Sequence, residues 1–234
     1  MNKYVDFISD SDFLDCIKWV CSVYPDADKK IDIVKLQKNT IDPFKMLFDM
    51  LNGEISFDDW IHSERIRQKD KTINNRIGEF HQKVLGKVQG WIDLGTGDES
   101  GVDLKKDDNS IFIELKNKHN TMNSGSIKNC RLKLDSIVQI RPNSIAYWAF
   151  IVSKNGDANE APFRISGMRD NPQVKKIWGS KVYELVTGDP KALEKLWKAL
   201  PKAIKDVLET DYEMEDEDKN KLFEFFNKAF NSFS

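Results

Sequence analysis

The sequence predicts an α/β fold in which one mixed β-sheet is flanked by helices and preceded by an N-terminal helical region. Apolar residues recur at helical spacing over much of the chain to about residue 75. Segments 91–95, 101–105 and 110–116 are short and bounded by glycine or turn formers, which predicts three antiparallel strands. The continuous apolar run 144–152 is typical of a strand that is buried on both faces.

The N-terminal helices are predicted from apolar spacing and from end signals. Residues 5–23 have apolar side chains at helical spacing, and Pro25 is expected to end this helix. A second helix is expected after Pro43. Ser56 with Asp59 resembles the capping box that begins another helix.

A clearer helix is predicted over residues 72–86, directly before the strands. One apolar stripe runs along it at positions i, i+4, i+7 and i+11, formed by Ile73, Ile77, Phe80 and Val84. Glu79 and Gln82 share a different face of the same helix.

The second half of the chain alternates helices and strands. We expect a helix over about 126–138, the buried strand 144–152, a short strand 181–187 and a helix from about Pro190. A C-terminal helix over 219–232 carries Leu222, Phe223, Phe226 and Phe230. The helical spacing of the three phenylalanines is more typical of core than of a dimer contact.

Length and composition indicate a globular protein with one large domain and smaller additions. The chain has 234 residues, of which 40% are hydrophobic and 32% charged. We assign 1–71 to the N-terminal helical region, 72–210 to the core, and 211–234 to an acidic segment with a C-terminal helix packed on the core.

No feature of the sequence indicates a membrane or a zinc site. The first residues lack a signal core, and no apolar run reaches the roughly 18 residues that a spanning helix requires. We therefore expect a cytoplasmic protein. The three cysteines have no metal-like spacing, and the three histidines are scattered.

The net charge of −2 hides an uneven distribution of charge. Residues 206–218 are strongly acidic, whereas basic residues gather at 64–71, 116–133 and 164–181. A basic surface that faces a phosphate backbone can coexist with an acidic region elsewhere. On charge alone, however, solvated helix faces are the favoured interpretation.

The segment 101–116 carries the main candidate for chemistry. If its turn is centred between Asp108 and Asn109, Asp103 lies directly opposite Glu114, with Cβ atoms about 5 Å apart on one face. Lys116 points to the same face because side chains alternate along a strand.

Two opposed carboxylates repel each other unless a cation lies between them. Magnesium prefers carboxylate oxygens as ligands, and Lys116 can hold a water molecule or a phosphate beside it. The alternative is an exposed hairpin with charges on its solvent face. Phe112 shares the face of the acids, and a helix carrying Glu79 precedes the strands, which favours a site.

This pattern resembles the PD-(D/E)xK nuclease superfamily. An acid, Asp103, is followed after ten intervening residues by Glu114-Leu115-Lys116. Val102 stands where the superfamily pattern has proline, a position that tolerates change. The resemblance implies a restriction-endonuclease-like core with a mixed sheet flanked by helices.

Four longer blocks are similar to the Eco47II family of type II restriction endonucleases. They are IDPFKMLFDM (41–50), NRIGEFHQKVLG (75–86), ELKNKHNTMNS (114–124) and YELVTGDPKALEKL (183–196). The resemblance implies cleavage of double-stranded DNA at a short palindromic site, GGNCC or a close relative. It also implies a homodimer, because a twofold protein matches a twofold site.

The resemblance further implies roles for individual residues. Asp103 and Glu114 would bind Mg²⁺ with the backbone carbonyl of Leu115, and Lys116 would orient or activate the attacking water. The expected products are a 5′-phosphate and a 3′-hydroxyl. Glu79 is a candidate fourth member of the catalytic set, and a surface glutamate is the equally weighted alternative.

Candidate DNA contacts lie on the same helix face as Glu79 and in the segment after the catalytic strand. They are Gln82, Lys118, His119, Asn120, Asn123, Ser124 and Ser126. The alternative for the later residues is a capped loop that leads into a helix. Arg65, Arg67 and Lys71 are possible phosphate contacts, although solvated helix charges are the favoured interpretation for each.

Two other functions remain open from the residues alone. One is a nuclease of the same fold that repairs DNA or resolves junctions. The other is a DNA-binding module without catalysis, against which the opposed carboxylates argue.

Overall fold

The computed structural model describes residues 2–24, 41–95 and 97–230, so the predicted helix end at Pro25 lies outside the described residues. The helices are α1 (Asp10–Cys21), α2 (Pro43–Gly53), α3 (Phe57–Gly86), α4 (Ser124–Ile140), α5 (Ser180–Thr187), α6 (Ala192–Leu208) and α7 (Asp216–Ala229). The strands are β1 (Trp91–Asp93), β2 (Leu104–Lys106), β3 (Ile111–Lys118), β4 (Ile145–Val152), β5 (Asn159–Pro162) and β6 (Val174–Trp178).

One mixed sheet of six strands has the order β1-β2-β3-β4-β6-β5. The pairs β1–β2, β2–β3 and β5–β6 are antiparallel, whereas β3–β4 and β4–β6 are parallel. Helix α4 makes the crossover that parallel pairing of β3 and β4 requires. The predicted mixed α/β fold, with its three antiparallel strands, helix and buried strand, is confirmed.

One part of the core lies between the sheet and α4. Residues of β4 are almost all buried, as its continuous apolar sequence predicts. On one face, Phe112, Trp148 and Phe150 form a cluster with Leu134 and Val138 of α4. Helix α4 is therefore anchored beside the even-numbered side chains of β3, which include Glu114 and Lys116.

The predicted strand over 181–187 is wrong, because this segment lies in helix α5. Val182, Tyr183 and Val186 are buried, which is the i, i+1, i+4 pattern of a helix face. Gly188 ends the helix in the left-handed conformation with φ 75°. A short apolar run does not by itself distinguish a strand from a buried helix.

Strands β5 and β6 were not predicted from the sequence. Strand β5, with the sequence NEAP, is mostly exposed at the sheet edge, where proline is tolerated. In β6, Lys175 and Lys176 interrupt the apolar pattern. Pairing with neighbouring strands, rather than local pattern, places both segments in the sheet.

The chain divides into two compact units, residues 1–18 with 78–234, and residues 19–77. The predicted N-terminal helical region 1–71 is thus shared between both units. Within the second unit, Met46 and Met50 of α2 pack against Trp60 and Ile61 of α3.

The predicted capping box before α3 is present in the second unit. The Ser56 hydroxyl accepts from the Asp59 amide at 3.2 Å, and the Asp59 carboxylate accepts from the Ser56 amide at 3.3 Å. Asp59 takes the place that Glu or Gln has in the usual box.

The C-terminal helix α7 packs within the larger unit. Phe226 stacks on Trp197 of α6 with ring centroids 4.6 Å apart, and Phe230 lies 5.0 Å from Phe226. Both phenylalanines are buried, as expected for core residues, whereas Phe223 is exposed. In the ranges 2–24, 41–95 and 97–230, no helix has the length and apolar character needed to cross a membrane.

Candidate active site

The β2–β3 hairpin has the predicted register up to the first acid. Leu104 pairs with Ile113 and Lys105 with Phe112. The amide of Asp103 also donates to the backbone oxygen of Ile113, at 3.0 Å. The consecutive residues Asp103 and Leu104 therefore both face Ile113 of β3. This is the arrangement of a β-bulge, a feature that re-aims side chains next to sites. Asp103 is therefore shifted from the directly opposed position that the turn predicts.

The carboxylate of Asp103 completes the hydrogen bonding of β3 beyond the bulge. Its Oδ2 accepts from the backbone amide of Leu115 at 2.6 Å. Because the N–H and C=O of one strand residue point to the same side, the Leu115 carbonyl also faces the Asp103 side of β3. The Asp103 carboxylate and the Leu115 carbonyl thus lie on the same side of β3.

Asp103, Glu114 and Lys116 converge, although two strands supply them. Lys116 Nζ lies 2.7 Å from Glu114 Oε1 and 3.5 Å from Asp103 Oδ2. Glu114 is only 7% exposed, while Asp103 and Lys116 are about one-quarter exposed at their side chains (23% and 28%). The site is therefore a half-buried cluster that solvent reaches from one side.

Burial and mutual charge perturb the ionisation of this cluster. Burial, together with the neighbouring Glu114 carboxylate, raises the pKa of Asp103. Burial alone disfavours the Lys116 ammonium, but the carboxylates of Asp103 and Glu114 outweigh it and raise the pKa of Lys116. Two acids held together in this way favour a cation between or beside them.

A second lysine, Lys133 of α4, also belongs to the cluster. Its Nζ lies 2.5 Å from Glu114 Oε2 and 2.5 Å from the backbone oxygen of Gly101. The sequence contained Lys133 only as one member of the basic segment 116–133. Strand spacing carries no information about a helix that packs across the sheet, so no local signal identified it.

The donor set fits a hard divalent cation. In the part of the chain that the structure describes, no group of three or more His, Cys, Asp or Glu side chains is arranged to hold a metal. The protein donors would be the carboxylates of Asp103 and Glu114 and the carbonyl of Leu115. Magnesium commonly takes one or two carboxylates and completes its shell with water and substrate phosphate.

Gln82 of α3 supports the backbone at the bulge. Its Nε2 donates to Asp93 Oδ1 at 2.7 Å and approaches the backbone oxygen of Asp103 at 3.4 Å. Glu79 lies one helical turn earlier and is exposed. Of these two helix residues, Gln82 is therefore the one that contacts the residues around the site.

The predicted DNA-contact segment is a capped loop at the end of β3. Asn123 caps α4 by accepting from the amide of Ser126 at 2.9 Å. The His119 amide donates to Val152 O at 3.0 Å, which ties the loop to β4. The remaining candidates of this segment are exposed: Lys118, Asn120 and Ser124. Capping and exposure are compatible with DNA contact, which stays a prediction.

One of the proposed phosphate contacts of α3 already has a strong partner. Arg67 donates through Nε to Glu64 Oε2 at 2.6 Å, and burial of Glu64 strengthens this pair. The pair favours a structural role for Arg67 within its own unit.

Comparison with known proteins identifies the class of enzyme. Residues 5–209 match the sequence model of the Eco47II restriction endonuclease family. The chain is 36% identical to the type II restriction enzyme Sau96I of Staphylococcus aureus, over 89% of this chain and 83% of that enzyme. It is 34% identical to the type II restriction enzyme Eco47II of Escherichia coli, over 97% of this chain and 98% of that enzyme.

These matches and the acidic cluster define a type II restriction endonuclease, a site-specific deoxyribonuclease that acts on double-stranded DNA. The chain belongs to the Eco47II restriction endonuclease family, as the sequence blocks predicted. Enzymes of this class generally require a divalent metal ion. Family membership decides against the alternative of a binding module without catalysis.

Proposed function

We propose that this enzyme hydrolyses phosphodiester bonds of double-stranded DNA with Mg²⁺, at GGNCC or a closely related palindrome. The products would be 5′-phosphate and 3′-hydroxyl ends. The observation that carries this proposal is the convergence of Asp103, Glu114 and Lys116 at a bulged hairpin. The same arrangement supports assignment of the core to the PD-(D/E)xK superfamily.

Each group of the cluster has a proposed role. Asp103, Glu114 and the Leu115 carbonyl would hold the metal, which when bound acidifies water and stabilises charge on phosphoryl oxygens. Lys116 would orient the attacking water and hold a phosphate oxygen. Its ammonium, which contacts both carboxylates, supplies positive charge beside the place where the phosphate would lie.

Residues around the cluster would complete DNA binding. We propose that the exposed residues Lys118, Asn120, Ser124 and Ser126, with His119 and Asn123, contact the backbone or base edges. Glu79 is exposed one turn from Gln82, and we propose it as a further member of the catalytic set. Gln82 itself would hold the bulge, since its amide nitrogen is already engaged.

We also propose that two copies of the chain act together on the twofold site. Helix α2 supports this proposal because none of its residues is buried. Four large apolar side chains at i, i+3, i+4 and i+7 form one stripe and are 55–75% exposed: Phe44, Leu47, Phe48 and Leu51. A contiguous exposed apolar patch marks an interaction surface.

The stripe is complementary to itself. In an antiparallel pair of α2 helices with a twofold axis between Leu47 and Phe48, Phe44 of each copy faces Leu51 of the partner subunit. The four side chains expose on the order of 400–500 Å², enough for the apolar centre of an interface of about 800 Å² per partner. A second copy is therefore the occupant that this helix fits.

One experiment tests the proposed activity. DNA of known sequence is digested with the enzyme and Mg²⁺, and both ends of every product are sequenced. We expect all ends to fall within one palindromic site and to carry 5′-phosphates. Ends that depend on branched or damaged structure, with no common site, would contradict the proposal.

A further inference from the structure

Lys133 reaches the site from a rigid element and has two partners there. Its ammonium contacts Glu114 Oε2 and the backbone oxygen of Gly101, each at 2.5 Å. On either side of it along α4, Cys130 and Leu134 are buried in the core against the sheet. The helix backbone is therefore held in place, so a change in the position of the ammonium would involve the Lys133 side chain rather than the helix.

Both carboxylate oxygens of Glu114 are occupied by ammonium groups. Lys116 Nζ is 2.7 Å from Oε1, and Lys133 Nζ is 2.5 Å from Oε2. Because Glu114 is only 7% exposed, water screens these pairs weakly. A metal ion that binds Glu114 directly needs one of these oxygens, so it competes with an ammonium group.

The charge balance indicates that this arrangement suits the metal-free enzyme. Asp103 and Glu114 supply two negative charges, and Lys116 and Lys133 supply two positive charges, so the four groups are neutral together. A divalent cation added to the same four groups would leave two uncompensated positive charges in a half-buried cluster. Coulomb repulsion is relieved when one ammonium leaves its carboxylate.

Lys133 is the ammonium that is better placed to leave. Lys116 lies between two carboxylates, whereas Lys133 contacts one carboxylate and one neutral carbonyl. The Lys133 side chain is 32% exposed, so solvent is available to it. Gly101 has φ +65°, and a Cβ there would lie 3.3 Å from Lys133 Cδ, so glycine leaves room for this side chain.

We infer that Lys133 is a positioning residue that occupies Oε2 of Glu114 in the metal-free enzyme and withdraws when a divalent cation binds. This inference rests on the metal site proposed above. While no metal is present, Lys133 compensates the charge of the buried carboxylate and holds Glu114 in place through Oε2. Metal affinity then includes the free energy of separating Lys133 from Glu114.

The test measures Mn²⁺ binding to the full-length, DNA-free protein by isothermal titration calorimetry. Lys133→Met removes the ammonium and keeps an unbranched side chain. We expect it to lower the Kd for Mn²⁺ about tenfold, as removal of a nearby positive charge should. Lys133→Arg keeps the charge and is expected to bind as the wild type does. Lys128→Met, at an exposed position of the same helix, is the matched control.

The outcomes separate this inference from the metal site itself. Unchanged or weaker Mn²⁺ binding by Lys133→Met, with binding abolished in Glu114→Gln, would overturn the role of Lys133 and leave the metal site standing. Unchanged binding in Glu114→Gln would overturn the metal site and the inference together. A merely structural Lys133 predicts weaker binding together with easier urea unfolding. Lys133→Gln carries the same expectation if the methionine variant does not fold.

Discussion

The backbone amide of Leu115 donates to Oδ2 of Asp103 at 2.6 Å, so an acidic side chain takes the place of a neighbouring strand in the sheet. The bulge at Asp103 and Leu104 makes this possible, because it turns the Asp103 carboxylate toward β3. One residue therefore helps to hold the strand edge and presents a carboxylate to the cluster. The position of Asp103 depends on the hairpin backbone rather than on a flexible loop.

Replacing Lys116 with alanine is expected to reduce DNA cleavage by about 10²–10³-fold. Its ammonium is the group between the two carboxylates, at 2.7 and 3.5 Å. DNA binding should largely persist, because phosphate contacts elsewhere supply most of the affinity. Plasmid cleavage and gel-shift assays measure the two effects. Lys106→Ala, whose ammonium pairs with Asp108 at 3.3 Å on the hairpin, is the matched control. Full activity of Lys116→Ala would refute its assigned role.

Two glycines of α3 are expected to respond oppositely to alanine. At Gly86 an added Cβ would lie 2.5 Å from Asp93 Cβ and 2.9 Å from the Asp93 nitrogen, so helix or strand must shift. We expect Gly86→Ala to lower the free energy of unfolding by about 1–3 kcal/mol. At Gly78 the nearest atom, Asn117 Cβ, is 4.0 Å away, and alanine should stabilise the helix by about 0.5–1 kcal/mol. Urea unfolding of both variants checks the difference, and equal effects would contradict the close approach at Gly86.

A lysine placed in the apolar stripe of α2 is expected to dissociate the dimer. Leu51→Lys puts a charge at a stripe position that is 70% exposed in one chain and would be buried between two. Sedimentation velocity should show the wild type as a dimer and this variant as a monomer. In this variant, cleavage of both DNA strands in one binding event should decrease together with the loss of the dimer.

Asn52→Lys is the matched control for the stripe. Asn52 is the next residue of α2, it is exposed, and it lies outside the stripe. The same charge at this neighbouring position is expected to leave the dimer intact. A wild-type chain that is monomeric at all concentrations would remove the role proposed for α2.

Acid should destabilise the protein through His81. Burial lowers the pKa of His81 from 6.5 to about 4, and its Nδ1 lies 2.8 Å from the Tyr183 hydroxyl. The unfolded chain therefore binds more protons than the fold between these pH values. The contribution of His81 to the free energy of unfolding is fully present above pH 6.5. It is lost as the pH falls to about 4, which lowers the free energy of unfolding by about 3 kcal/mol.

His81→Gln tests this pH dependence, because glutamine can still bond the tyrosine hydroxyl without taking up a proton. Urea unfolding at pH 7 and pH 5 should show a smaller loss of stability in this variant than in the wild type. His62→Gln, at an exposed position, is the control and should keep the wild-type loss. Equal losses in His81→Gln and the wild type would exclude His81 as the source.

Features set by neighbours along the chain were predictable. The turn at Asp108 and Asn109 set the register of Leu104 with Ile113, because hairpin pairing follows from where the turn lies. The capping pair Ser56–Asp59 and the buried strand β4 likewise depend on local pattern. Turn position and strand alternation are therefore sufficient to predict that Asp103, Glu114 and Lys116 lie near one another.

Segments without a distinct local pattern were decided by packing. Residues 181–187 contain an apolar run that suits either a strand or a helix, and burial of Val182, Tyr183 and Val186 selects the helix. Strands β5 and β6 are short and partly polar, and only pairing with the rest of the sheet defines them.

The sequence by itself determined the family, the mixed α/β class and the two acids with their lysine, because turn position and strand alternation act over a few residues. Only the tertiary structure decided that Asp103 lies in a bulge, that Gln82 donates to the backbone oxygen of Asp103 and that Lys133 forms an ion pair with Glu114. Those contacts join residues 19 to 21 positions apart, or depend on a strand shift of a single residue. Packing of helices against the sheet creates these contacts, and the spacing of residues within a single helix or strand does not predict them.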